Sequence, residues 1–233
     1  MGRGRAIPGI NDLATLRPDI AAQWDYEKNG ALKPEDVTVG SNKKVWWKCA
    51  RNHSWPARVH KRTKGSNCPF CMGKRVLPGF NDLATLRPDI AAEWDYDKNG
   101  NLTPEQVTAH ANKKVWWKCH LNHSWDATIA GRTHQGKRAK GQGCPYCAHK
   151  KVCPGFNDLA TVTPSLLDSW DYERNANLNP CDLTPYTRRM VWWKCKNGHH
   201  WRTSAHDMQY GYGCPYCYPR KAALYRPRIV PSI

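Results

Sequence analysis

One pattern of soft metal ligands, written three times in 233 residues, limits what this chain can fold into. The first copy reads Lys43-Lys44-Val45-Trp46-Trp47-Lys48-Cys49, reaches His53 three residues on, and after a polar loop ends in Cys68-Pro69-Phe70-Cys71. The second supplies Cys119, His123, Cys144 and Cys147, and the third Cys195, His199, Cys214 and Cys217. The spacing is C-x3-H-x14-C-x2-C in the outer copies and C-x3-H-x20-C-x2-C in the middle one. Two close ligand pairs separated by a loop match a tetrahedral structural zinc site. Three zinc ions are therefore expected.

The repeat extends beyond the ligands. Asn11–Ala22 and Asn81–Ala92 are identical over twelve residues, and the landmark Trp24 recurs 70 residues on as Trp94 and 76 further as Trp170. This sets modules at 1–73, 74–149 and 150–218, with a basic tail over 219–233. A unit of about 70 residues has a marginal hydrophobic core, and a metal is a common staple at that size.

Nine of the eleven cysteines fall in the three clusters, which favours metal over a disulfide framework. Of the other two, Cys153 aligns with Ile7 and Leu77 and is expected as a small buried hydrophobe. Cys181 aligns with Glu35 and Glu105 and is expected exposed and free. The start, Met-Gly-Arg-Gly-Arg, has no apolar stretch behind it, and no run approaches the ~20 apolar residues of a membrane span. A soluble protein of the cytoplasm or nucleoid is the expectation.

Each module opens on a Pro-Gly turn and Asn-Asp-Leu-Ala-Thr, followed by a short helix in which Pro18 suits the first turn and Ile20 and Trp24 share a face. The Val-Trp-Trp run reads as a strand that delivers the first Cys. Trp55, Ala57 and Val59 alternate with polar residues, as in the returning strand of a hairpin. Adjacent Trp46 and Trp47 must point to opposite faces. One is expected in the hairpin core and the other against the Trp24 helix, base stacking being the competing use of twelve Trp.

Four protein ligands close the zinc coordination shell, and no H-x-E or HExxH motif is present, so no enzyme is expected. Where His199 and His200 are adjacent, His199 keeps the register. The formal charge is +17, and three zincs on nine thiolates would leave about +14. Such a surface suits a polyanion, nucleic acid first. The basic residues gather around the hairpins: Lys43, Lys44, Lys48, Arg58 and Arg62 in the first copy; Lys113, Lys114, Lys118, Arg132, Lys137, Arg138 and Lys140 in the second; Arg188, Arg189, Lys194 and Arg202 in the third. These are the candidate phosphate contacts. Met208 stands where the other copies have Arg62 and Arg132.

The pattern Pro-x-Ile-Ala-x-x-Trp, Val-Trp-Trp-x-Cys-x3-His-x-Trp, Arg-Thr and Cys-Pro-x-Cys resembles a family described as a treble-clef or probable zinc-ribbon domain, found as tandem repeats in bacterial and large-virus proteins. The resemblance runs from about Ile7 to Cys217, with the third copy departing by its loss of the Arg. It implies a knuckle and hairpin with the last ligand pair at or near a helix start, and the same twelve ligands. The combined reading is three tandem small α+β zinc-stapled modules, each a short helix plus a zinc-knuckle β-hairpin. Together they form a non-enzymatic nucleic-acid-binding protein, DNA before RNA, serving as a targeting accessory to a nuclease, transposase or other recombinase. The competing reading is a protein–protein interaction scaffold, separable by its weak salt dependence.

Overall fold

The computed structural model describes residues 4–134 and 142–218. The chain packs as two compact units, residues 1–117 with 126–139 and residues 118–125 with 140–233. These units do not coincide with the sequence repeat.

The first repeat begins with two one-turn helices, α1 (Leu13–Leu16) and α2 (Pro18–Ala21), then a third, α3 (Tyr26–Asn29). Helices this short are unstable alone and need side-chain caps and tertiary contacts. Asp12 supplies the cap and Leu13 the tertiary contact. The Asp12 carboxylate accepts from the Thr15 N–H at 2.9 Å, the Gly9 N–H at 2.6 Å and the Thr15 hydroxyl at 2.7 Å. Leu13, fully buried, donates its N–H to the Val37 carbonyl at 2.8 Å.

The hairpin follows as β1 (Lys44–Lys48) and β2 (Ser54–Arg58), antiparallel, with Trp47 opposite Trp55 and Lys44 opposite Arg58. Val45, Trp47 and Trp55 point inward and are buried. The Trp47 indole donates to the Ala57 carbonyl at 3.0 Å and meets Trp24 edge-on, ring centroids 5.4 Å apart. Trp24 lies beyond the end of α2, in an isolated bridge to Trp47, rather than on the helix as expected. The inward Trp therefore fills the hairpin core and also meets Trp24, so the expectation that its neighbour packs there is corrected. Trp46 faces out.

The free edge of β1 is closed by a side chain. The Asn29 amide donates to the Trp46 carbonyl at 2.7 Å and accepts from its N–H at 2.8 Å, reproducing a strand's pairing. Lys48 N–H adds a bond to the Gln23 carbonyl at 2.7 Å.

Two further expectations change. β2 ends at Arg58, and Val59 opens a helix, α4 (Val59–Thr63), where the returning strand was expected to continue. The Cys-Pro-Phe-Cys knuckle is followed by turns rather than a helix, although the Met72 N–H bonds the Cys68 carbonyl at 3.0 Å.

The second repeat carries α5 (Leu83–Leu86), α6 (Pro88–Ala91), α7 (Tyr96–Asn99), the two-stranded sheet of β3 (Lys114–Lys118) and β4 (Ser124–Thr128), and α8 (Ile129–Thr133). Asp82 caps α5 as Asp12 caps α1, and the Trp94–Trp117 pair repeats the 5.4 Å edge contact. The third repeat keeps α9 (Leu159–Val162), the hairpin β5 (Met190–Lys194) with β6 (His200–Ser204), and α10 (Ala205–Gln209). A 3-10 helix, Pro164–Ser169, replaces the second one-turn helix, while Asn175 still bonds both backbone groups of Trp192. Cys153 and Cys181 are both half-buried, Cys181 lying against Asp158, whose negative charge adds to burial in raising its thiol pKa.

Candidate metal centres and the outer hairpin faces

The turn between β1 and β2 presents the first two ligands. Cys49 accepts the Asn52 N–H at 2.8 Å through its carbonyl, and Asn52 takes a left-handed φ of 61°. Asn122 repeats this at 61° and Gly198 at 76°. These residue types tolerate that conformation best. The turn places Cys49 and His53 opposite Cys68 and Cys71.

In each repeat the four ligand atoms lie within 4.8 Å of one another. In the first, Cys49 Sγ and Cys71 Sγ are 3.9 Å apart, and His53 Nδ1 is 3.3 Å from Cys71 Sγ and 3.7 Å from Cys68 Sγ. The second gives 3.8 Å between Cys119 and Cys147 sulfurs and 3.4–3.7 Å from His123 Nδ1 to the three sulfurs. The third gives 3.8 Å between Cys195 and Cys217 and 3.3–3.6 Å from His199 Nδ1. A tetrahedron with zinc–sulfur bonds of about 2.3 Å has edges of about 3.8 Å. The donors fit zinc in kind, number and spacing.

Their protonation behaviour fits as well. Burial, then hydrogen bonds and repulsion from Cys68 and Cys49, pushes the Cys71 thiol up to about 11. Cys147 is pushed to about 12 by burial and its two neighbouring thiols. Burial also acts to raise Cys195, but the His199 and Asn197 N–H groups and the adjacent thiols outweigh it and bring it to about 7. Three thiols this close cannot all ionise alone, whereas a dication neutralises the conflict. With zinc bound, these residues would supply three thiolates and one imidazole, a four-coordinate set.

The first two centres are covered by the next repeat. Phe80 lies edge-on to the His53 ring at 4.2 Å, and the Asn81 amide donates to the Phe70 carbonyl at 2.8 Å and the Arg75 carbonyl at 2.9 Å. Phe156 meets His123 at 4.3 Å, and Asn157 donates to the Tyr146 and Lys151 carbonyls at 2.7 and 2.9 Å. The sequence repeat contained this signal as Pro-Gly-Phe-Asn, but only the fold shows which metal centre it touches.

The basic residues separate into two groups. Lys43, Lys44 and Arg58 are exposed, as are Lys113, Lys114, Arg188, Arg189, Lys194 and Arg202, while Lys48 and Lys118 are half-buried. Lys114 pairs with Asp126, and Lys48 lies 4.0 Å from Glu27. Lys137, Arg138 and Lys140 lie outside the described residues.

Arg62 and Arg132 are interior, which corrects the expectation that they face a ligand. Arg62 is 1% exposed, donates to the Gln23 side chain at 2.6 Å and to the Ser66 carbonyl, and stacks its guanidinium on Trp47 and Trp55. Arg132 is 3% exposed, pairs with Glu93 and stacks on Trp117. Met208, also buried, fills this place in the third repeat, where Ser169 replaces Gln23 and Glu93. That paired change within the repeat was the available clue.

The outer face of each hairpin carries a Trp flanked by cations. Lys44, Trp46 and Lys48 share one face of β1 by period two. Lys28, not singled out from sequence, sits 4.5 Å above the Trp46 ring; Lys98 sits 4.2 Å above Trp116 and Arg174 4.7 Å above Trp192. Its trace in the sequence is a cation held at one place as Lys, Lys and Arg before an Asn. The third repeat adds Arg202 over Trp192 at 5.6 Å.

A small α+β zinc-binding module of treble-clef type, used three times, is the class that these hairpins and ligand sets define. The model of the probable treble clef zinc finger domain family matches residues 20–74, 90–150 and 166–220, and the chain belongs to that family. A comparison with curated proteins gave no match.

Proposed function

We propose that this protein binds nucleic acid without catalysing a reaction, duplex DNA in preference to RNA. The observation that carries this reading is the outer hairpin face, where a cation-capped Trp stands beside exposed Lys or Arg in all three repeats. Phosphates take Lys and Arg on a rigid platform without demanding a base sequence. A formal charge of +17 supplies long-range attraction. Three linked platforms raise affinity through effective concentration. The role that suits such a chain is targeting, with a nuclease or recombinase as its protein partner. Thiolate ligands suit a reducing compartment, which supports the cytoplasm or nucleoid as the location we propose. Among the described residues no helix is long and apolar enough to cross a membrane.

Fluorescence anisotropy of the zinc-loaded protein on labelled duplex DNA, single-stranded DNA and RNA, at two salt concentrations, tests this. The expected result is salt-sensitive binding, strongest on duplex DNA, that charge reversal at Lys44, Lys114 and Arg189 weakens while zinc content is unchanged. Salt-insensitive or absent binding would overturn it and favour the protein scaffold.

A further inference from the structure

Among the described residues the Phe-Asn cover is made twice, and each of its halves is also found once without the other. In the first unit Phe80 and Asn81 close the knuckle of Cys68 and Cys71; in the second unit Phe156 and Asn157 close that of Cys144 and Cys147. The covering Asn residues are buried, at 8% and 0% exposure.

The first repeat carries the same covering segment without a knuckle among the described residues. Gly9 takes φ 78°, as Gly79 and Gly155 do. Asn11 accepts the Ile7 N–H at 2.7 Å, as Asn81 accepts that of Leu77 and Asn157 that of Cys153. Ile10, in the place of Phe80 and Phe156, is 66% exposed, and Ile7 is 50% exposed. Among the described residues the Asn11 amide reaches only the Arg5 carbonyl, at 3.4 Å. It lacks the knuckle carbonyl that both counterparts have.

The third knuckle shows the converse. Tyr216 lies 5.3 Å from His199, as Phe70 and Tyr146 lie beside their His, but it is 57% exposed where they are half-buried. Tyr218 beside it is 62% exposed. The Tyr216 carbonyl receives no asparagine amide among the described residues. An apolar plug whose amide meets no knuckle carbonyl, and an aromatic knuckle whose carbonyl meets no asparagine amide among the described residues, are complementary.

We infer that copies of this chain associate head to tail, Ile10 and Asn11 of one copy covering the His199–Tyr216 knuckle of the next. The contact is heterologous, so it extends into chains or closes into rings rather than stopping at a symmetric dimer. It repeats between molecules the join already made within one. Apolar packing and an amide–carbonyl bond form it, so salt does not dissolve it, unlike a phosphate contact.

Sedimentation velocity on zinc-loaded protein, nuclease-treated and at high salt, tests this over a wide concentration range. Species beyond the dimer should appear as concentration rises. Ile10→Asp and Tyr216→Asp should each remain monomeric, with zinc content intact because both sites are exposed. Mixed together, these variants retain one good head and one good tail and should form a heterodimer and nothing larger. Asn11→Ala should weaken association roughly tenfold, the worth of one hydrogen bond. A wild-type monomer at every concentration would overturn the inference, as would assembly that either Asp variant leaves unchanged. The first of these results is what a knuckle covered by the segment 219–233 would give.

Discussion

Arg62 and Lys44 are both basic residues of the same repeat, and their environments are opposite, Arg62 buried and Lys44 exposed. The Arg62 guanidinium is enclosed by Trp47, Trp55 and the Gln23 amide, so its removal leaves buried polar groups without partners. Arg62→Ala should cost about 2–3 kcal/mol in a denaturant melt. Arg62→Met paired with Gln23→Ser should recover much of that, because the third repeat already uses Met208 and Ser169 there. Arg58→Ala should leave the melt unchanged and weaken nucleic-acid binding alone. Asp82 carries the pH dependence of its cap. Burial acts to raise its pKa, but the Thr85 hydroxyl and the Thr85 and Gly79 N–H groups outweigh it and hold it below the ordinary 3.8. A carboxylate lowered on folding stabilises above its unfolded pKa and loses that contribution as pH falls through the folded one. Asp82→Asn should therefore be less stable than wild type by about 1 kcal/mol at neutral pH, with the gap closing below about pH 4. Thermal melts at both pH values check this.

At the scale of elements, one-turn helices and five-residue strands have little stability of their own, and the metal centre and its cover hold them. Asn29, Asn99 and Asn175 each complete a hairpin edge that would otherwise be open. The cover makes the zinc centres unequal. Phe80→Ala should speed zinc loss from the first centre about tenfold, as removal of an outer-shell partner does. In the wild type the third centre, whose knuckle aromatic Tyr216 is exposed and takes no Phe-Asn cover among the described residues, should exchange first. A chelator challenge followed by cysteine alkylation and mass spectrometry would read this as early labelling of Cys214 and Cys217.

Across the whole molecule, the proposed binding of a polyanion rests on the formal charge of +17. Each phosphate neutralised should steepen the fall of log K with log salt by about 0.9 for duplex DNA. Reversing Lys44, Lys114 and Arg189 together should flatten that slope by close to three such steps, checked by anisotropy over a salt series. Head-to-tail assembly would gather more of these faces on one assembly and make binding cooperative in protein concentration.

The sequence by itself determined the metal centres, because ligand identity and spacing are local: Cys49 and His53 sit on one tight turn, and Cys68 and Cys71 on another. It also determined the hairpin, since Val-Trp-Trp-Lys-Cys and Ser-Trp-x-Ala alternate with period two. Tertiary structure decided which Trp faces inward, because alternation gives two faces without naming the buried one; Trp24, distant in sequence, selects Trp47. Burial of Arg62 was likewise decided there, since it depends on Gln23, 39 residues away, and on a helix beginning at Val59 that strand-like alternation concealed. The cover of each metal centre by the following repeat belongs to the same class. A Phe and an Asn in a turn acquire that meaning only when the chain brings them against a knuckle.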